Sequence, residues 1–220
     1  MGRDQERVVR ELVDAHGRTY AEEAGIALKD TPQPLYRLLV LAHLLSARIR
    51  GSVAVATARA LQDAGLSDPR RMADADRQER VDALGRGGYR RYDERTATQL
   101  GEAAELLNER WGGDLRRLRE EADGEVGEVR RLLQEFPGIG PTGADIFLRE
   151  VQRVWPDVAP CLDRKALQGA ERLGLPKDPD RLVRLAGRTD PAVLAAALVR
   201  ASVDEEVARD TLDAAREPPG

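Results

Sequence analysis

Apolar residues in this chain recur with the period of a helix and nowhere with the period of a strand. In PLYRLLVLAHLLSARI, residues Leu35, Leu38, Leu39, Ala42, Leu45 and Ile49 follow the i, i+3, i+4, i+7 stripe of one helix face. Val40, Leu41 and Leu44 add apolar surface outside that stripe, so this helix is expected to be buried on most sides. Helix punctuation surrounds it. Ser52 is a candidate N-cap for GSVAVATARALQDAG, with Gly65 past its end. Ser67 or Asp68 is expected to cap a helix that has Pro69 near its first position. A long helix is expected in YDERTATQLGEAAELLNERWG, ending near Gly112. EVGEVRRLLQEF, TGADIFLREVQRVW, DRKALQGAERLGL, DPDRLVRLAG and PAVLAAALVRASVDEEVARDTLDAA read as further helices. No segment alternates as a half-buried strand would, and no fixed-period repeat or low-complexity linker interrupts the pattern. The fold class is all-α.

Composition narrows what such a bundle can do. At 220 residues, 41% hydrophobic and 34% charged, the chain can bury one large core or those of two small lobes. No apolar run approaches the roughly 18–20 residues of a membrane span. The charged, amphipathic start MGRDQERVVRELVDAHG does not read as a secretory signal, so a cytoplasmic protein is expected, nucleoid-associated if bacterial. The single cysteine, Cys161, rules out an intramolecular disulfide framework and a cluster held by four thiolates. With two histidines, His16 and His43, no side-chain metal site is expected. The net charge of -4 gives no general attraction to nucleic acid, but Arg86, Arg90, Arg91 and Arg95 crowd into one stretch.

The segment FPGIGPTGAD breaks the helical pattern most sharply. Pro137 ends one helix, because it lacks a backbone N–H and disfavours helix at Phe136. Gly138 and Gly140 permit close backbone approach around Ile139, and Pro141 suits the first position of the next helix. That helix then presents unpaired N–H groups and its positive dipole end. A phosphate fits such a tip without any lysine. A plain helix–helix corner with no ligand is the alternative on these residues alone.

The surroundings of the break resemble a known family. EFPGIGPTGADIFLREV resembles the hairpin of the endonuclease III family of helix–hairpin–helix DNA glycosylases, whose usual pattern is Leu-Pro-Gly-Val-Gly-x-Lys-Thr-Ala. PLYRLLVLAHLLSARI resembles the family's buried helix ending in Leu-Leu-Ser-x-Gln. GGYRRYDERTATQL is similar to Gly-x-x-x-x-Lys-Ala-x-x-Ile, and VWPDVAPCLDRKAL to a Trp-Pro stretch followed by Val-Asp-Thr-His. The match runs in order over roughly residues 32–170.

The resemblance implies two helical lobes: residues 33–148 as a bundle carrying the hairpin, and residues 1–32 plus 149–220 as a second lobe. It implies a monomer acting on damaged double-stranded DNA, with the base flipped into a pocket between the lobes. DNA contacts are expected at Gly138, Ile139, Gly140, Thr142, Gly143, Arg48, Arg90 and Arg91. Hairpin carbonyls are implied to hold a monovalent cation; no other cofactor and no iron–sulfur cluster is expected. Thr142 stands where bifunctional members carry the lysine that forms a Schiff base, and a hydroxyl cannot form one. Strand-cleaving lyase activity is therefore not expected. Arg48 stands where relatives insert a glutamine into the base stack.

Asp163 aligns with the catalytic carboxylate once the preceding loop is given about two extra residues. A carboxylate suits base excision, because it stabilises the cationic sugar and can orient water. Asp163 could equally cap the helix that follows it. Asp157 and Asp145 are runners-up. Tyr89 and Tyr92 would stack on a base or pack in the core; Trp111, Trp155 and His43 read as interior residues. Two other functions stay open: a DNA-binding member without catalysis, and a helical scaffold for protein partners.

Overall fold

The structure, a computed structural model, describes residues 2–91 and 93–216. Tyr92 lies outside the described residues. All regular structure among the described residues is helical, as the apolar periodicity requires. The helices are α1 (Gly2–His16), α2 (Tyr20–Glu23), α3 (Pro32–Ser46), α4 (Gly51–Asp63), α5 (Pro69–Asp74), α6 (Arg77–Arg86) and α7 (Asp93–Trp111). There follow α8 (Leu115–Glu121), α9 (Val126–Leu133), α10 (Pro141–Val151), α11 (Arg164–Arg172), α12 (Pro179–Ala186), α13 (Pro191–Val203) and α14 (Glu205–Arg216). A single 3-10 turn, Pro156–Val158, precedes α11.

Aspartate sets many of the helix starts. Asp68 accepts from the backbone N–H groups of Arg70 and Arg71 at 3.1 and 3.0 Å, and so caps α5. Asp76, Asp114, Asp178 and Asp190 cap α6, α8, α12 and α13 in the same way. The expected cap at Ser52 is not formed: α4 begins one residue earlier, at Gly51, and Arg50 precedes it with no side-chain cap. Helices α2 and α8, of four and seven residues, are too brief to show a clear period in sequence. The long C-terminal helix expected from Pro191 onward is broken in two at Asp204. Its backbone turns extended (φ -130°, ψ 117°), and its carboxylate accepts from Glu206 N–H at 2.9 Å. Aspartate competes with helix by this kind of local bond, and here it wins.

The chain forms two compact units, Tyr20–Asp157 and the pair of segments Met1–Thr19 and Val158–Gly220. In the first unit α3 is the central helix, buried from Leu35 to Leu44 except at Arg37, and it packs on α4, α8 and α10. The unit extends further than residues 33–148 for a specific reason. The buried Glu150 carboxylate of α10 accepts from the N–H groups of Tyr20 and Ala21, at 3.2 and 3.0 Å. An anion at the N-terminus of α2 satisfies its first donors. Trp155 Nε1 donates to Asp30 at 2.8 Å, and Arg153 pairs with Glu22 at 2.5 Å. These bonds bind residues 20–30 to α10 and the segment after it.

In the second unit α1 packs on α12, α13 and α14, and α11 crosses α13. That crossing depends on Gly169. A Cβ there would lie 1.8 Å from the Leu198 carbonyl oxygen, so any side chain would force the two helices apart.

Candidate nucleic-acid interface

The hairpin joins α9 to α10 within the first unit. It is anchored on every side. Phe136 is buried against Trp111 of α7, with ring centroids 5.4 Å apart. Arg130 of α9 and Asp145 of α10 form an ion pair across the hairpin. Ile139 is only 4% exposed, and its side chain lies against Gly143. Gly138 has φ +83°, a left-handed conformation that side chains disfavour.

The backbone donors of the turn divide into two groups. Ile139 N–H donates to the Phe136 carbonyl at 3.0 Å, and Ala144 N–H to the Gly140 carbonyl at 3.0 Å. The amides of Gly138, Gly140, Thr142 and Gly143 donate to no described residue. Gly140 is the N-cap of α10 and has no side chain to offer, while Pro141 occupies the first turn. Gly140 and Thr142 are exposed; Gly143 is buried. Ile139 therefore differs from its neighbours among the expected contacts. It holds the turn in shape and has no amide left to present.

Beneath the turn lies His43 of α3, which is 6% exposed. Burial pushes its imidazole down to about 4, and the Gln99 amide oxygen of α7, an acceptor for the ring N–H, offsets part of that shift. The imidazole is therefore neutral near pH 7. A Cβ on Gly138 would lie 2.3 Å from His43 Cε1, 2.6 Å from Nε2 and 3.0 Å from Gln99 Oε1. The turn thus rests directly on this polar pair.

Arg48 is exposed, two residues beyond the end of α3. The end of α3 is close to the hairpin: a Cβ on Gly143 would lie 3.6 Å from Ser46 Cβ. Arg90 and Arg91 are exposed and lead into α7, the helix that carries Gln99. Tyr89 does not project toward a ligand. It is 3% exposed, and its hydroxyl lies 3.0 Å from Thr96 Oγ1. Helix packing, one of the two roles open to it, is the one it fills. Trp111 and Trp155 are core residues as expected.

Asp163 belongs to the other compact unit. It is the N-cap of α11, and Oδ1 accepts from Ala166 N–H at 3.0 Å. That bond fixes the carboxylate at a helix N-terminus while leaving the residue half-buried. The runners-up are otherwise engaged. Asp145 pairs with Arg130, and Asp157 accepts from Arg119 Nε at 3.1 Å. Lys165 is exposed in the first turn of α11, and Cys161 is buried. Among the described residues no group of three or more His, Cys, Asp or Glu could hold a metal ion.

No sequence pattern ties Gln99 or Arg130 to the hairpin. His43 carried a faint signal, as an isolated polar residue in an apolar run. Gln99 carried none, because only the packing of α7 brings it to the turn.

No family model matches the sequence, and no curated protein does. Among solved structures, the chain is similar to that of a trapped endonuclease III–DNA covalent intermediate, an estranged-adenine complex. The identity is 16%, over 89% of this chain and 84% of that one, with a TM-score of 0.49. At that likeness no residue role is carried across.

Proposed function

We propose that this protein is a monofunctional DNA glycosylase of the endonuclease III kind, excising a damaged or mismatched base from double-stranded DNA. The observation that carries the reading is the exposed start of α10, where Gly140 and Thr142 hold backbone donors that no described residue uses. Such donors suit a phosphate oxygen, and they need no net positive charge on the protein. Arg48, Arg90 and Arg91 would add charge-assisted contacts to neighbouring phosphates. The Gly138 and Ile139 carbonyls, which accept from no described N–H, are the ones that would hold a monovalent cation.

In this reading the target nucleotide is extruded from the duplex. The bond between C1′ and the base then breaks, its electron pair leaves with the base, and the base takes up a proton. The sugar becomes cationic, and water adds at C1′ and gives up a proton, which balances the one the base takes. Asp163 is the residue assigned to stabilise that cation and orient the water. The chain's lysines are Lys29, Lys165 and Lys177, and Thr142 holds the hairpin position, so an intact abasic site is the expected product.

The capping bond of Asp163 favours one second reading, a DNA-binding protein without catalysis in which that aspartate only starts α11. Incubation with a panel of lesion-containing duplexes separates the two. Abasic sites that break only on heating in alkali support the glycosylase. Duplex binding with no base release supports the second reading. Salt-independent binding, or none, would leave only the protein scaffold.

A further inference from the structure

We infer that His43 and Gln99 are positioning residues, which together seat the Gly138 turn and so aim the hairpin amides at a phosphate. This rests on the DNA-binding reading above. The side chains that α3 buries are apolar apart from Tyr36 and His43. A leucine at His43 would spare the cost of burying its polar atoms, so packing alone gives no reason for the histidine. What the pair adds is direction. His43 Nε2 and Gln99 Oε1 both lie at the turn, and contacts between polar atoms depend on orientation as apolar contacts do not.

The turn is fitted to that fixed surface. The space where a Gly138 side chain would start is filled by His43 Cε1 and Nε2 and by Gln99 Oε1. The turn cannot settle deeper without a clash, and it cannot lift without exposing the buried His43 ring. Two residues past Gly138 comes Gly140, the uncapped start of α10. A small displacement at Gly138 therefore moves the donors themselves, and hydrogen bonds weaken steeply with misalignment. Phe136 on Trp111 and Arg130 with Asp145 secure the hairpin's flanks, while His43 and Gln99 supply the nearest atoms under its glycine.

The test uses the full chain and an undamaged duplex, with affinity measured across a salt series. His43→Leu/Gln99→Leu replaces the polar pair by an apolar one and should melt no lower than the unaltered chain. Its duplex affinity should nevertheless fall about tenfold at fixed salt. Its salt slope should stay unchanged, since amides release no counterions; Arg48→Ala, by contrast, should lower the slope by about one. Exchange of the Ile139 amide hydrogen, which closes the turn onto Phe136, should quicken in the double variant at unchanged global stability. Should the double variant not fold, Gln99→Leu alone is expected to show the same loss of affinity and the same faster exchange. Unaltered affinity and exchange in a folded variant would overturn the positioning role alone. An unaltered chain that binds no duplex would overturn the DNA reading, and the aiming role with it.

Discussion

Helices α10 and α11 begin in opposite ways. At α11 the cap is Asp163, whose carboxylate takes the Ala166 N–H at 3.0 Å. At α10 the cap is Gly140, which takes nothing by its side chain and is followed by Pro141. One helix satisfies its own first turn, and in doing so fixes a carboxylate. The other leaves its first-turn donors without a described protein partner. Aspartate caps α5, α6, α8, α12 and α13 as well, whereas α10, like α3, α4 and α9, begins with no side-chain cap. By the same comparison, the placement of Asp163 follows a structural habit, and only its chemistry can show whether it does more.

The largest effect is expected from Asp163→Asn. Asparagine caps about as well as aspartate, so α11 and the melting temperature should be preserved. Base release should fall about 10²–10³-fold, the usual scale for removing one preorganised group that stabilises transition-state charge. Single-turnover excision measures it; full activity in the variant would return Asp163 to the plain capping role.

The next effect is an acid one, at His43 in the first unit. His43 titrates at about 4 in the folded chain, against an ordinary value of 6.5. Between those values the unfolded chain binds more protons, so stability is intact above pH 6.5 and is lost as pH falls through 4. The full loss is about 3 kcal/mol. Urea unfolding at pH 7 and pH 4 should show it in the unaltered chain, on top of whatever other groups contribute, and His43→Leu should reduce the difference by about that amount.

Gly140→Asp would convert the start of α10 into that of α11. A Cβ there meets nothing within 4 Å, and φ is -92°, so the side chain fits without strain. A carboxylate accepting from the Thr142 or Gly143 N–H should stabilise the fold by about 0.5–1 kcal/mol. The same carboxylate would occupy and repel the phosphate position, so duplex affinity should fall about tenfold or more. Thermal melts and binding isotherms must therefore move in opposite directions. If both improve, the exposed donors are not the grip.

The smallest effect concerns Thr142. Thr142→Lys restores an amine at the hairpin, and phosphate attraction alone should strengthen binding by about 1 kcal/mol at low salt. Borohydride trapping of a protein–DNA adduct in that variant, with none in the unaltered chain, would support the assignment of Thr142 to the lysine position.

What the sequence determined by itself is local. Pro137, Gly138, Gly140 and Pro141 act on the backbone of their own and adjacent residues, so the break and the helix that follows it were legible without any neighbour. The same holds for Asp68 and for Gly65, whose φ is +81°. Tertiary structure decided whatever depends on a partner distant in the chain. The Glu150 carboxylate draws Tyr20 and Ala21 into the first unit across a separation of about 130 residues. Tyr89 turns inward to Thr96, and Ile139 spends its amide on Phe136 and its side chain on the core. His43, read correctly as interior, became part of the candidate site only when α7 placed Gln99 beside it under Gly138. Backbone preference is a property of a few adjacent residues, whereas burial and pairing are properties of packing, and no period or spacing in one chain records which surfaces will meet.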